Sequence, residues 1–200
     1  MKMNLPNKLS VLRLCMVPIF VIVLMVSNAL WASITGIVLF IVASLTDMLD
    51  GKIARKHNLV TDFGKFLDPL ADKFMVIGAM FVILYRTLTS ETPDPIFSIV
   101  FFWTFMIVIF RELAVTSIRL VVSSSSGIVV AANMLGKIKT CTQIACVICC
   151  LAEPVVYRTL GIETDFLPVS LVTAGLMLIF TLWSGIHYIA SYWKYMDPEK

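Results

Sequence analysis

An all-α integral membrane protein of six transmembrane helices, with a short N-terminal interfacial segment, is the fold class that this 200-residue sequence predicts. Three observations predict it. Apolar residues make up 59% of the chain and charged residues only 14%, whereas soluble domains carry about 25% charge. The mean hydropathy is +0.92. The apolar residues fall into six blocks, each near the ~20 residues that a helix needs to cross the hydrocarbon. These blocks fill nearly the whole length, so a single domain over 1–200 is expected and a second has no room.

The elements follow in order. Residues 1–8 mix polar and apolar types and are expected along the interface, ahead of span 1 at 10–26. Span 1 and the Ser27-Asn28-Ala29 after it imitate a cleavable leader, but five later spans make it the first anchor. Span 2 covers 30–56 and carries its charge at its end. Span 3 covers 64–87 and carries its charge at its start. Span 4 covers 95–122, span 5 covers 131–152 and span 6 covers 166–192. Ser123 to Ser126 with Gly127 read as a loop between spans 4 and 5.

The connections alternate in charge. The 87–95 and 153–165 loops are mostly acidic, while the N-terminus, the 52–65 turn, the 119–139 connection and the C-terminus are basic. Of sixteen Lys and Arg, only Arg86 and Arg158 fall on the acidic side. The positive-inside rule then sets both termini and the charged ends of spans 2 and 3 at the cytoplasmic face. The net charge of +3 understates a basic face that meets anionic lipid and cytosolic phosphates. Nucleic acid is not an expected partner, because basic residues scattered on membrane helices make no continuous groove.

Four aspartates break the apolar pattern: Asp47 and Asp50 late in span 2, Asp68 and Asp72 early in span 3. A carboxylate at the bilayer centre costs roughly 2.5–3.5 kcal/mol, so four would cost about 10 kcal/mol. That rivals a whole folding free energy of ~5–15 kcal/mol, so something must bind them. Asp47, Asp50, Gly51, Ala54 and Arg55 have the i, i+3, i+4, i+7, i+8 spacing of one helical face. Gly64, Asp68 and Asp72, four apart, make a second stripe. Two antiparallel helices joined by a short turn can bring the stripes together, and four carboxylates in one place call for cations. An oxygen-only set suits one or two hard divalent ions such as Mg²⁺, Mn²⁺ or Ca²⁺. Gly51, Ala54 and Gly64 serve either close helix packing or room for a flat nucleotide, and Arg55 would neutralise a diphosphate. Ion pairing with Lys52, Arg55, Lys65 and Lys73 is the plain alternative for the acids. A cation pathway is another, but it calls for midplane carboxylates and inverted repeats, and no repeat is visible.

The string D47-M-L-D50-G51-K-I-A54-R55, eight residues, then G64-K-F-L-D68-P-L-A-D72, resembles the signature of the CDP-alcohol phosphatidyltransferase family at every signature position. The six-span layout agrees, so the resemblance covers essentially the full chain. Further stretches are similar to the bacterial branch that forms phosphatidylglycerol phosphate: N4-L-P-N7-K-L-S10-V-L-R13, L67-D-P-L-A-D-K73, R111-E-L-A-V-T-S-I-R119, G136-K137-I-K139-T140 and T181-L-W-S184. One departure is Ser10, where threonine is more usual; the hydroxyl is kept. The resemblance implies transfer of a phosphatidyl group from CDP-diacylglycerol to sn-glycerol 3-phosphate, releasing CMP, by a homodimer in a bacterial cell membrane. It implies Mg²⁺ or Mn²⁺, two ions, held by Asp47, Asp50 and Asp68 with Asp72 beside the second. It gives Asp72 the role of general base. It sets Gly51, Ala54, Arg55 and Gly64, with Asn7 and Ser10, around the CDP-diacylglycerol. Within the family, inositol phosphate or phosphatidylglycerol are the alternative acceptors.

Arg111 and Arg119 lie eight apart on span 4, two turns along one face, and Lys137 and Lys139 open span 5. Anchoring to lipid headgroups accounts for lysines that snorkel, less well for Arg111. These four are the expected cradle for the acceptor's phosphate, the arginines as forks and the lysines as point charges. Glu112 is expected to orient Arg111. The five cysteines (Cys15, Cys141, Cys146, Cys149, Cys150) read as small apolar helix residues, and His57 and His187 lack ligand partners. Trp183, Tyr188, Tyr192 and Trp193 read as interface anchors.

Overall fold

The computed structural model describes residues 4–56, 61–91, 93–126, 134–164 and 166–193, without the side chains of 6, 48–56, 62, 65 and 123–126. Six helices follow in order: α1 (Leu5–Val26), α2 (Leu30–Lys56), α3 (Asp62–Leu88), α4 (Pro95–Ser126), α5 (Met134–Leu160) and α6 (Pro168–Tyr192). No strand occurs among the described residues. Five helices are long and apolar enough to cross a membrane. α3 is as long as α2 and α5, at 27 residues, but opens with the charged residues of the second stripe. At ~1.5 Å per residue it spans about 40 Å. It runs the full height of the bundle: Asp68 near its start meets Ser10, and Arg86 near its end meets Asn28 beyond the end of α1.

Local chemistry sets the ends. Asn4 caps α1, its side chain accepting from the Asn7 N–H, and Pro6 fits the first turn. The N-terminal segment expected along the interface is therefore helical from Leu5 and continuous with α1. Thr61 caps α3 through Oγ1, which accepts from the Gly64 N–H at 3.0 Å. Asp94 caps α4, its Oδ1 accepting from the N–H groups of Ile96 and Phe97. The serines expected in a loop extend α4 to Ser126. α5 continues past Pro154 to Leu160, beyond the predicted end at 152. It stops at Gly161, whose φ of +67° suits a residue without Cβ, while the Ile162 N–H closes back on the Tyr157 carbonyl at 2.9 Å.

α1 packs against both α2 and α3, α6 packs against α4 and α5, and the two groups join where α2 meets α5 and where α3 meets α4 and α5. The shared core includes Leu24, Phe40, Met80, Phe101, Val147 and Met177. Helices approach closely where side chains vanish: a Cβ on Gly36 would lie 2.6 Å from the Leu24 Cδ2. The outward faces keep Ile19, Ile34, Phe81, Trp103, Val172 and Ile186 exposed. Such a girdle is an aggregation hazard in water and is at home against acyl chains. The chain is a multi-pass membrane protein.

Candidate functional site

The aspartate stripes meet at one end of the bundle, with the first turns of α1 set between them. Arg13, its side chain fully buried, places Nη1 2.5 Å from Asp47 Oδ1 on α2, whose side chain is 37% exposed. Three residues earlier, Ser10 donates its hydroxyl to Asp68 Oδ1 on α3 at 2.5 Å. Another three residues earlier, Asn7 donates through Nδ2 to Thr61 Oγ1 at 2.9 Å, beside Gly64. A Cβ on Gly64 would come 2.8 Å from Asn7 Oδ1, so glycine is what lets α1 and α3 close here. The sequence reading put Asn7, Ser10 and Gly64 beside the nucleotide; the structure brings all three onto the α1–α3 seam. Arg13 and Thr61, to which the sequence alone assigns no site role, join them. The signal for Arg13 was present, since Asn7, Ser10 and Arg13 are each three apart and form a polar stripe on an apolar helix.

Asp50, Gly51, Ala54 and Arg55 lie on the last turns of α2, and their side chains are outside the described residues. His57 also lies outside them. Among the described residues no group of three acids, histidines or cysteines is gathered closely enough to hold a metal. The donor chemistry nevertheless fits one, because Asp47, Asp68 and Asp72 offer only hard carboxylate oxygens on neighbouring helices.

A second cluster faces the aspartates from α4, α5 and α6. Glu112, nearly buried, accepts from Arg111 Nη1 at 3.2 Å and pairs with the Lys139 ammonium. Arg111 also reaches Ser184 Oγ on α6. Its Nε is buried without a hydrogen-bond partner. A Cβ on Gly185 would stand 3.1 Å from Arg111 Cγ, so that glycine makes room for the arginine. Two turns on, Arg119 donates to the Tyr188 hydroxyl at 2.5 Å. Its guanidinium lies 5.0 Å from the Tyr188 ring centre, and that of Arg111 lies 5.9 Å away. Tyr188 is thus no interface anchor: it is 2% exposed and serves as the platform for both arginines. Lys137 is exposed, while Lys139, two residues on and so across the helix, is buried.

Asp72 joins the two clusters. It is half-buried on α3, within electrostatic reach of Asp47 and Arg13 on one side and of Lys139 and Glu112 on the other. Next to it, Lys73 donates to Thr116 Oγ1 on α4 at 2.5 Å, tying α3 to the helix that carries Arg111 and Arg119. The cysteines behave as read: all five are free, and Cys146 and Cys150 pack together with sulfurs 3.8 Å apart.

Fold and site together define an all-helical membrane protein with carboxylates and guanidinium groups opposed at one end of its bundle. The profile of CDP-alcohol phosphatidyltransferase matches residues 3–186, and the chain belongs to that family. The family is divalent-metal dependent. Three relatives are each named CDP-diacylglycerol–glycerol-3-phosphate 3-phosphatidyltransferase, the plant protein as number 2. The Bacillus subtilis (strain 168) protein is 39% identical over 96% of both chains. The Arabidopsis thaliana protein is 34% identical over 96% of this chain and 80% of its own. The Rickettsia felis protein is 34% identical over 70% of each.

Proposed function

We propose that this chain transfers the phosphatidyl group of CDP-diacylglycerol to sn-glycerol 3-phosphate, giving phosphatidylglycerol phosphate and CMP. The observation that carries the reading is the position of Asp72 between the acidic donor cluster and the basic cluster of α4 and α5. The names of the relatives support the same donor and acceptor.

Asp47, Asp50, Asp68 and Asp72 would hold Mg²⁺ or Mn²⁺, two ions by family likeness, and these supply charge neutralisation on the donor diphosphate. Arg13 and Ser10 each occupy one oxygen of Asp47 and Asp68 and so orient the carboxylates before substrate arrives. Gly51, Ala54, Arg55 and Gly64 leave space and charge for the cytidine nucleotide. Arg111, Arg119 and Lys139 bind the acceptor's phosphate, Arg119 most directly because it is the exposed arginine on the Tyr188 platform, while Lys137 stays on the exposed face of α5 away from them. The glycerol hydroxyl then forms a bond to the phosphorus bearing the diacylglycerol. The bridging P–O bond breaks, CMP departs with that oxygen, and Asp72 takes the hydroxyl proton. Holding both substrates in line supplies much of the rate, since a carboxylate is a weak base for an alcohol.

The charge asymmetry of the loops supports a cytoplasmic site and cytoplasmic termini. A C-terminal alkaline phosphatase fusion, active only when exported, is expected to be silent. The deciding assay is CMP release from CDP-diacylglycerol in detergent, with and without glycerol 3-phosphate and Mg²⁺ or Mn²⁺. Release that needs neither metal nor acceptor defeats the reading. Turnover with inositol phosphate or phosphatidylglycerol, but not glycerol 3-phosphate, assigns the other acceptor.

A further inference from the structure

The donor and acceptor groups of the site stand on different halves of the bundle. The aspartates lie on α2 and α3 with α1 between them, and the cations lie on α4 and α5 beside α6. Each half is braced from within, as by Ser10 on Asp68 and by Ser184 on Arg111. Among the described residues, one side-chain hydrogen bond joins the halves at this end of the bundle. It runs from Lys73 Nζ on α3 to Thr116 Oγ1 on α4, at 2.5 Å. Lys73 is one of the lysines that the sequence offers as an ion-pair partner for the aspartates. The structure spends it otherwise: no carboxylate lies within ion-pair distance of it among the described residues.

The two partners are placed to set the height of one half against the other. Lys73 follows Asp72 directly, and Thr116 stands four residues after Glu112 and three before Arg119, one turn from each. Their chemistry fits in one sense only. Thr116 donates its hydroxyl proton to the Glu112 carbonyl at 2.7 Å, so toward Lys73 it can only accept, and an ammonium can only donate. The chain itself passes from one half to the other between Leu88 and Pro95, at the opposite end of the bundle. Lys73 is fifteen residues short of Leu88, about 22 Å along α3. A tilt of ~3° over that length moves the site end by about 1 Å, and a misplacement of about 1 Å can cost ~10²-fold in rate. Apolar packing between the halves is non-directional. A hydrogen bond at the open end supplies the missing register.

We propose that Lys73 is a positioning residue of the transfer: by holding Thr116 it keeps Asp72 in register with the cations that receive the acceptor, and it touches neither substrate. The proposal rests on the function proposed above and adds to it what aligns the two substrate sites.

Steady-state CMP release by the detergent-purified full chain tests this in Lys73→Met, Thr116→Val and the two combined. Methionine keeps most of the aliphatic stem and removes the donor; valine keeps the shape and removes the acceptor. Each single variant is expected to lower kcat about tenfold. The KM for CDP-diacylglycerol and the KM for glycerol 3-phosphate stay within threefold of the parent, because each half still binds its own substrate. The combined variant falls no further than either single one, since both remove the same bond. A thermal midpoint near the parent's shows that Lys73→Met folds; if it does not fold, Thr116→Val carries the test alone. Three results overturn the proposal: an unchanged kcat, losses that multiply in the combined variant, or a KM raised tenfold, which makes Lys73 a substrate ligand. A parent chain that releases no CMP on addition of glycerol 3-phosphate defeats the function itself and this proposal with it. An active parent with unaffected variants removes the positioning role alone.

Discussion

Asp72 stands where two groups of charge meet, and its task follows from that position rather than from being a carboxylate. Arg13 and Ser10 are committed to Asp47 and Asp68, whereas Asp72 on α3 faces Lys139 on α5 and Glu112 on α4. Asp72→Asn keeps the shape and removes the proton acceptor. We expect kcat to fall by ~10²–10⁴, the usual worth of a general base, with the KM for glycerol 3-phosphate changed little; steady-state CMP release reads both. An activity within threefold of the parent would take the base role away from Asp72. Arg119 is tested by the opposite signature. A charge-assisted hydrogen bond is worth ~1.5–3 kcal/mol, so Arg119→Ala should raise the KM for glycerol 3-phosphate by about ten- to a hundredfold. An unchanged KM removes Arg119 from the pocket. The aspartates and arginines were legible because helical spacing alone puts them on common faces. Tyr188 was not: its place beneath Arg119 depends on α6 lying against α4, which no local pattern states.

At the scale of elements, the seams between helices carry the site. Gly64 lets α3 close on α1 at Asn7. Gly64→Ala puts a methyl 2.8 Å from Asn7 Oδ1 and 3.2 Å from Thr61 Oγ1, an overpacking that costs ~1–3 kcal/mol. The expected result is a lower thermal midpoint and a raised KM for CDP-diacylglycerol. Adding Asn7→Ala makes room and should recover the midpoint but not the KM; failure of the midpoint to recover would mean the seam is not the cause. At the other end, α6 begins at a Leu167 cap with no side-chain hydrogen bond, and Glu153 on α5 replaces one. Its oxygens accept from the N–H groups of Val169 and Ser170 at 3.0 and 2.7 Å, the Ser170 hydroxyl and the Tyr157 hydroxyl. A negative group at a helix N-terminus is doubly favoured, by hydrogen bonds and by the dipole. Glu153→Gln should cost about 1–2 kcal/mol, a midpoint several degrees lower at ~2–4 °C per kcal/mol. An unchanged melting curve would show that α6 does not need this cap. The reading of 153–165 as an acidic loop missed this, because Pro154 signals a helix end locally while the partner that keeps α5 going sits on another helix.

Over the whole molecule, polarity is segregated by height. One end gathers the aspartates and the Arg111–Glu112–Lys139 cluster; the other gathers Arg86, Arg158 and Asp94; between them lies the core from Leu24 to Met177. The exposed apolar girdle fits lipid, and by family likeness part of it would be shared between two protomers. Light scattering of the detergent-purified chain, with detergent mass subtracted, should give twice the 22.3 kDa of one chain. A fully active species of single mass would dismiss the homodimer.

The sequence by itself determined the class of fold, the number and near-ends of the helices, and the two acidic stripes. Hydropathy and the 3.6-residue period act within one helix, and every signature position lies on one of two. Only the tertiary structure decided what Asp47, Asp68 and Asp72 face. α1 slides between the stripes and brings Arg13 to Asp47 and Ser10 to Asp68. α5 turns Lys139 inward to Glu112 and leaves Lys137 outside. The two stray arginines come together on Asn28, 58 and 130 residues away along the chain. Such partners lie on different helices, and their meeting is fixed by packing, where small residues allow approach and large ones forbid it, rather than by the order of the chain.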